Sequence, residues 1–254
     1  MSGHGMDLDL GGKVALVTGG DRGIGAAIAL GLARCGCDVA SVDRGPRAEA
    51  EAAAGRIRAT GRRAMAIEAD VADFAAAERA VAAVVAEFGR LDILVCNAGI
   101  TRDAVVWKMT ERQWDEVVDV NLKGCFTYNR AAAQVFMERR RGKIVNIASI
   151  NGLRGKFAQA NYAASKGGII ALTKSLAKEL GKFNVNVNCV APGMVMTEMA
   201  RTLGPEFLDA AVEETVLGRL ATVDEVANVV VFLCSELSRH VTGEIIKVDG
   251  GQYI

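Results

Sequence analysis

Tyr162 and Lys166 stand four residues apart in "ANYAASKGG", Ala160 to Gly168, among small residues and ahead of two glycines. On a helix that spacing puts both side chains on one face, a single turn apart. A phenol beside an ammonium makes a proton-transfer device, but two solvated side chains have the same spacing. A second stretch, "VTGGDRGIG" from Val17, carries Gly19, Gly23 and Gly25 in the pattern G-x-x-x-G-x-G. Glycines at the start of a helix let backbone approach a pyrophosphate, and the helix N-terminus attracts the anion; ordinary turns use glycine too.

Asp43 closes "DVASVD", 24 residues after Gly19, about where a carboxylate accepts hydrogen bonds from an adenosine ribose and repels a 2′-phosphate. Arg22 and Arg44 could each reach such a phosphate. The balance favours NAD(H) over NADP(H), and the alternative is that Asp43 only caps a turn. Asp70 with Val71, and Asn97, Ala98 and Gly99, follow the third and fourth apolar runs, where ligands lie in a doubly wound sheet.

The elements that must position these residues follow from the hydropathy pattern. Short Val/Ile-rich runs recur near Lys13–Thr18, Asp38–Asp43, Ala64–Ala69, Leu91–Cys96, Gly142–Ser149, Asn184–Val190 and Glu244–Asp249. Between them lie helical patterns near Gly23–Cys35, Arg47–Thr60, Phe74–Phe88, Glu111–Arg140, Tyr162–Lys182 and Val223–Glu236. Continuously apolar strands alternating with helices predict a single-domain, Rossmann-type α/β fold: a doubly wound parallel seven-stranded sheet with helices on both faces. Residues 1–10 read as a flexible leader and 11–254 as one catalytic domain. The stretch at about 194–220 breaks the rhythm, reading either as surface helices or as a lid over a substrate.

The 254 residues carry 30 basic and 30 acidic side chains, so no global field exists to hold nucleic acid or an anionic membrane. No apolar run reaches membrane-spanning length, and six scattered cysteines read as reduced, buried thiols. Both points suggest the cytoplasm. No Cys/His/Asp cluster has metal-ligand spacing, so no metal is expected.

Together, "TGGDRGIG" (Thr18, Gly19, Asp21, Arg22, Gly23, Ile24, Gly25), Asp70-Val71, "NAG" from Asn97, Asn121, Ser149, "YAASK" from Tyr162, and Pro192-Gly193 followed by Thr197 resemble the short-chain dehydrogenase/reductase family over almost the whole chain. Within it, "NAGITRD", "QANYAASKGG" and "VNVNCVAPG" are similar to β-ketoacyl-carrier-protein reductases and acetoacetyl-CoA reductases. Those reductases generally use NADPH and lack an acid where Asp43 stands. They also present basic residues near the site entrance to an acidic carrier protein; Arg140 matches one, whereas Phe183 replaces a second, with Lys182 beside it.

Hydride transfer to a carbonyl needs an acid for the oxygen. The only histidines are His4 and His240, which leaves Tyr162, with Lys166 expected to lower its pKa. The resemblance implies that Lys166 also binds the nicotinamide ribose, that Ser149 polarises the carbonyl, and that Asn121 holds a water relaying protons from Lys166. It further implies that Pro192, Gly193, Val195 and Thr197 border the nicotinamide. Leu153, Phe157, Gln159, Met194 and Met199 would line the substrate side, and helices near 111–140 and 162–182 would pack into a homotetramer. The expected activity is reversible reduction of a 3-oxoacyl thioester, on an acyl carrier protein or CoA. The alternatives are an NAD-dependent dehydrogenase of a small secondary alcohol, polyol or sugar, reducing the corresponding small ketone in reverse, or a nucleotide-binding regulator without turnover.

Overall fold

The computed structural model describes residues 8–201 and 204–254, with only the backbone at Met199. Seven parallel strands form its centre: β1 (Val14–Thr18), β2 (Asp38–Asp43), β3 (Ala64–Glu68), β4 (Ile93–Cys96), β5 (Gly142–Ile147), β6 (Val185–Pro192) and, last in the chain, β9 (Ile245–Val248). They stand in the order β3-β2-β1-β4-β5-β6-β9. Successive side chains alternate between two cores. Val14 and Leu16 pack on one face of β1, Ala15 and Val17 on the other, which is why the strands are apolar throughout.

One core is closed by α3 (Phe74–Phe88), α5 (Gly124–Arg139) and α7 (Ala160–Leu180), through residues such as Val84, Phe136 and Ile169. The other is closed by α1 (Gly23–Arg34), α2 (Arg47–Arg58) and α10 (Val223–Cys234), through Leu32, Ile57 and Val230. Local signals set the helix limits. Asp73 caps α3 by accepting from the Ala76 N–H at 3.1 Å, and left-handed Gly89 ends it. Thr222 and Glu225 form a reciprocal capping box at α10.

Three features depart from the pattern read in the sequence. The helix expected over 111–140 is α4 (Glu111–Val117), a π-turn (Val118–Lys123) and then α5; the wider turn carries the fully buried Asn121. Of the expected leader, residues 1–7 lie outside the described residues. Leu10, by contrast, is fully buried in the second core and donates its N–H to Cys35 O at 2.7 Å, so packing begins before residue 11. Lastly, α6 (Asn151–Arg154) follows Ser149, and the 194–220 stretch contains β7 (Val195–Met196), α8 (Glu198–Arg201) and α9 (Pro205–Glu213), with β7 paired to β8 (Ala221–Thr222).

No helix among the described residues is long and apolar enough to cross a membrane. Cys37, Cys96, Cys125, Cys189 and Cys234 are buried, and burial pushes the Cys189 and Cys234 thiols up to about 12.

Because β1 neighbours β4, the chain reverses direction across the sheet between them, and a crevice opens at their carboxyl ends. Leu16 is fully buried on β1. Leu16→Ala should therefore cost about 2–5 kcal/mol in urea unfolding, whereas the exposed Leu237→Ala should change stability by no more than about 0.5 kcal/mol.

Candidate active site

The crevice is built on hydrogen bonds that join its two walls. Thr18, the last residue of β1, accepts at Oγ1 from the N–H groups of Asn97 (3.0 Å) and Ala98 (3.2 Å). Asn97 Nδ2 returns bonds to Thr18 O (3.1 Å) and Gly19 O (3.0 Å). The glycine turn is thereby fixed to the turn after β4. A Cβ on Gly25 would lie 1.9 Å from Gly19 O, so only glycine fits there. Helix α1 opens at Gly23 with no side-chain cap, leaving the amides of Gly23, Ile24 and Gly25 for an anion. Thr197 leans over this turn, its Cγ2 3.9 Å from where a Cβ on Gly23 would stand. These features fit a dinucleotide pyrophosphate.

At the ribose end, Asp43 Oδ1 accepts from the N–H groups of Arg44 (2.7 Å) and Gly45 (3.2 Å). The carboxylate thus caps its own turn, and this capping aims it. Asp21 is 5% exposed and accepts from the Ser41 hydroxyl at 2.8 Å. Burial raises its pKa, and the nearby charges of Asp43 and Glu49 add to the rise. Glu49, at the start of α2, is a member of this acidic group that the sequence reading missed; its place in the first helical turn was the available signal. The two arginines weighed for a 2′-phosphate already have acidic partners. Arg44 Nη1 lies 3.0 Å from Asp70 Oδ2, and Arg22 Nη1 lies 4.0 Å from Glu49. Asp70 Oδ1 also accepts from the Ala72 N–H at 2.9 Å, and neighbouring Val71 is buried.

At the other end, Lys166 is 3% exposed and donates to Ile147 O, at the end of β5, at 2.8 Å. Desolvation lowers its pKa to about 8. Its Nζ lies 5.6 Å from the centre of the Tyr162 ring. Asn121 Oδ1 accepts from the Ile100 N–H at 2.8 Å, and its Nδ2 donates to Ile100 O (3.0 Å) and Ser165 Oγ (3.1 Å). Ser149 accepts from the Asn151 N–H at 3.1 Å and hydrogen-bonds the Tyr162 hydroxyl. The expected lowering of the Tyr162 pKa is reversed here. Burial of the hydroxyl raises it, the Ser149 bond lowers it in part, and the charge of Asp103 raises it again. Lys166 is spent on a carbonyl and contributes no resolved pull.

On the substrate side, Gln159 receives a bond from Asn151 Nδ2 (3.0 Å) and donates to Asp103 Oδ2 (2.8 Å). Leu153 and Phe157 are exposed, Met194 is half-buried, and Pro192 and Val195 are buried at the end of β6 and in β7. The Gly193 N–H donates to Val248 O at 3.0 Å. The Met199 side chain lies outside what is described. Asn151, Asp103 and Ser165 are contacts that no spacing in the sequence signalled. Arg140 does not border this mouth within one chain. It precedes β5 and donates to Lys182 O at 3.0 Å beside the Phe183 ring, at the opposite ends of the strands from Tyr162. The reason is topological, since the residues before a parallel strand and those after it lie at opposite ends of the strands.

A family model described as enoyl-(acyl carrier protein) reductase matches residues 19–252, and the chain belongs to the short-chain dehydrogenase/reductase family. It is 43% identical over 242 residues to a Staphylococcus aureus 3-oxoacyl-[acyl-carrier-protein] reductase FabG, covering 95% of this chain and 98% of the relative. The Escherichia coli protein of that name is 40% identical over 243 residues, covering 96% and 98%. A crystal structure from Sinorhizobium meliloti, described as a short-chain alcohol dehydrogenase, superposes with a TM-score of 0.92 at 37% identity, covering 97% of this chain and 98% of that one. The family makes NAD(P)(H) the cofactor class.

Lys166 holds its proton less tightly in the folded chain (pKa about 8) than a free lysine side chain does (10.5). The unfolded chain therefore binds more protons between those values, and folding gains stability as pH rises through that window. In urea unfolding, the stability of wild type relative to Lys166→Met should increase from pH 7 to pH 9.5. A pH-independent difference would contradict the lowered pKa.

Proposed function

We propose that this chain is an NAD(H)-preferring reductase of 3-oxoacyl thioesters, running reversibly as a 3-hydroxyacyl dehydrogenase. The observation that carries this reading is the convergence of Ser149, Tyr162 and Lys166 at the carboxyl ends of β5 and β6, beside the dinucleotide crevice. The reductase names of relatives 40–43% identical over nearly the full chain support the acyl thioester, and exposed Leu153 and Phe157 suit an acyl chain.

Bound nicotinamide supplies the hydride. Tyr162 gives its hydroxyl proton to the carbonyl oxygen as negative charge develops there, and Ser149 orients and polarises that oxygen. A raised Tyr162 pKa keeps the phenol protonated and ready to donate in the reductive direction. Lys166 sits one turn below, where its charge favours the phenolate left after transfer. Asn121 is assigned the water of a proton relay. Its Oδ1 and Lys166 Nζ lie 3.3 and 3.4 Å from one point above Gly99, where a side chain would fill the gap between them.

The NAD(H) preference rests on Asp21, Asp43 and Glu49, three carboxylates at the ribose end that a 2′-phosphate would have to approach. Arg22 and Arg44 offer it little, being paired with Glu49 and Asp70. Segment 194–220 is assigned as the substrate lid and the whole body as one catalytic domain, with α5 and α7 the packing surfaces of a homotetramer. A small ketone is the second reading, favoured by the alcohol dehydrogenase description of the Sinorhizobium protein.

Tyr162→Phe should lower kcat by about a thousandfold while the NADH Kd stays within about twofold; retained turnover would place the proton donor elsewhere. Asp43→Ala should shift the NADH/NADPH ratio of kcat/KM toward NADPH by about tenfold or more, and an unchanged ratio would remove the ribose assignment. In a cofactor-oxidation screen, acetoacetyl-CoA should be reduced in preference to small ketones. Activity confined to the ketones would overturn the acyl-thioester reading.

A further inference from the structure

Arg154 closes the short helix that begins two residues after Ser149. Its guanidinium is largely buried, with side-chain exposure of 21%, and it reaches three acceptors on three parts of the chain. Nη2 lies 2.9 Å from Glu214 Oε2, Nη1 donates to Gln252 O at 3.3 Å, and Nε donates to Asn151 Oδ1 at 3.3 Å. Glu214, directly after α9, also accepts from Gln252 Nε2 at 2.8 Å. Gln252 Oε1 in turn accepts the Met194 N–H at 3.0 Å. The beginning of the 194–220 segment, its later part and the C-terminal tail therefore converge on one guanidinium.

On its inner side the same guanidinium meets the chemistry. Asn151 bonds Arg154 through Oδ1, Gln159 through Nδ2, and Ser149 Oγ through its backbone N–H. From Glu214 the path Arg154, Asn151, Ser149 is unbroken, and it ends on the hydroxyl that bonds Tyr162. A planar fork with donors at fixed angles suits this task better than a flexible ammonium, because it fixes several acceptors relative to one another.

We infer that Arg154, anchored by Glu214 and Gln252, is a positioning residue that sets the orientation of Ser149 and Gln159 through Asn151 and registers the 194–214 segment against them. This rests on the reading of Ser149 as the group that orients the substrate carbonyl. None of the four residues in the latch, Arg154, Asn151, Glu214 and Gln252, touches the crevice at the glycine turn. Loosening the latch therefore degrades carbonyl orientation far more than dinucleotide affinity, which the glycine turn and Asp43 anchor.

The test is a double-mutant cycle of Arg154→Met and Glu214→Gln in the full chain, with two readouts. With acetoacetyl-CoA and NADH, R154M should lower kcat by about tenfold and E214Q by severalfold. The double variant should fall no further than R154M, and the NADH Kd from fluorescence should stay within about twofold. Multiplicative losses, an unchanged kcat in R154M, or a parallel loss of NADH affinity would overturn the inference. The second readout needs no substrate. In hydrogen exchange, peptides holding the Asn151 and Met194 amides should exchange several times faster in R154M, while the start of α1 keeps its wild-type rate. Uniform acceleration would mean general loosening, and no change would mean that the latch holds nothing. If wild type fails to reduce acetoacetyl-CoA, the thioester reading fails, and the exchange result still decides the latch.

Discussion

A buried ammonium is the condition around which this site is arranged. Lys166 is buried, and holding it at about 8 instead of 10.5 costs ~3 kcal/mol of folding free energy at neutral pH. One or two fully buried leucines offset that amount, so the sheet and its two cores tolerate it. The low polarity that makes the charge expensive also raises the pKa of the Tyr162 phenol one turn away. Among the described residues, the amine donates to Ile147 O, at the end of a strand. The lysine is held in position but remains under-solvated, a state suited to handling a proton.

The polar groups around it act as fasteners between elements. Thr18 and Asn97 join the ends of β1 and β4. Asn121 joins the loop after β4 to α7 through Ile100 and Ser165, and it does so from a π-turn in an otherwise α-helical rod. Without the widened turn, the amide would face a different direction along the helix. Such bonds are individually worth about 1 kcal/mol. Their importance is geometric, because each fixes one wall of the crevice against another while the parallel ladders set the distance between walls.

The two ends of the crevice differ in character. At the ribose end, carboxylates of Asp21, Asp43 and Glu49 crowd together, and the rise in Asp21 records their repulsion and its own burial. At the Tyr162 end, no ion pair to Lys166 forms among the described residues, and Asp103 accepts from Gln159. Acidic charge thus gathers at one end of the cleft and the buried Lys166 cation at the other.

Much of this was legible in the amino-acid order. Alternating apolar strands and helices dictate a doubly wound sheet, the glycine turn and Asp43 fall at the carboxyl ends of β1 and β2, and the four-residue spacing puts Tyr162 and Lys166 on one helix face. These depend on local periodicity and on residue type, which a sequence displays directly. The tertiary structure decided what depends on burial and on distant partners. It raised Tyr162 where the spacing with Lys166 suggested a fall, because desolvation comes from the whole fold. It put Arg140 at the amino ends of the strands, away from Tyr162, made Leu10 part of a core, and brought Glu214 and Gln252 to Arg154 across 60 and 98 residues. A pKa and a long-range hydrogen bond are properties of an environment, and only the folded chain supplies one.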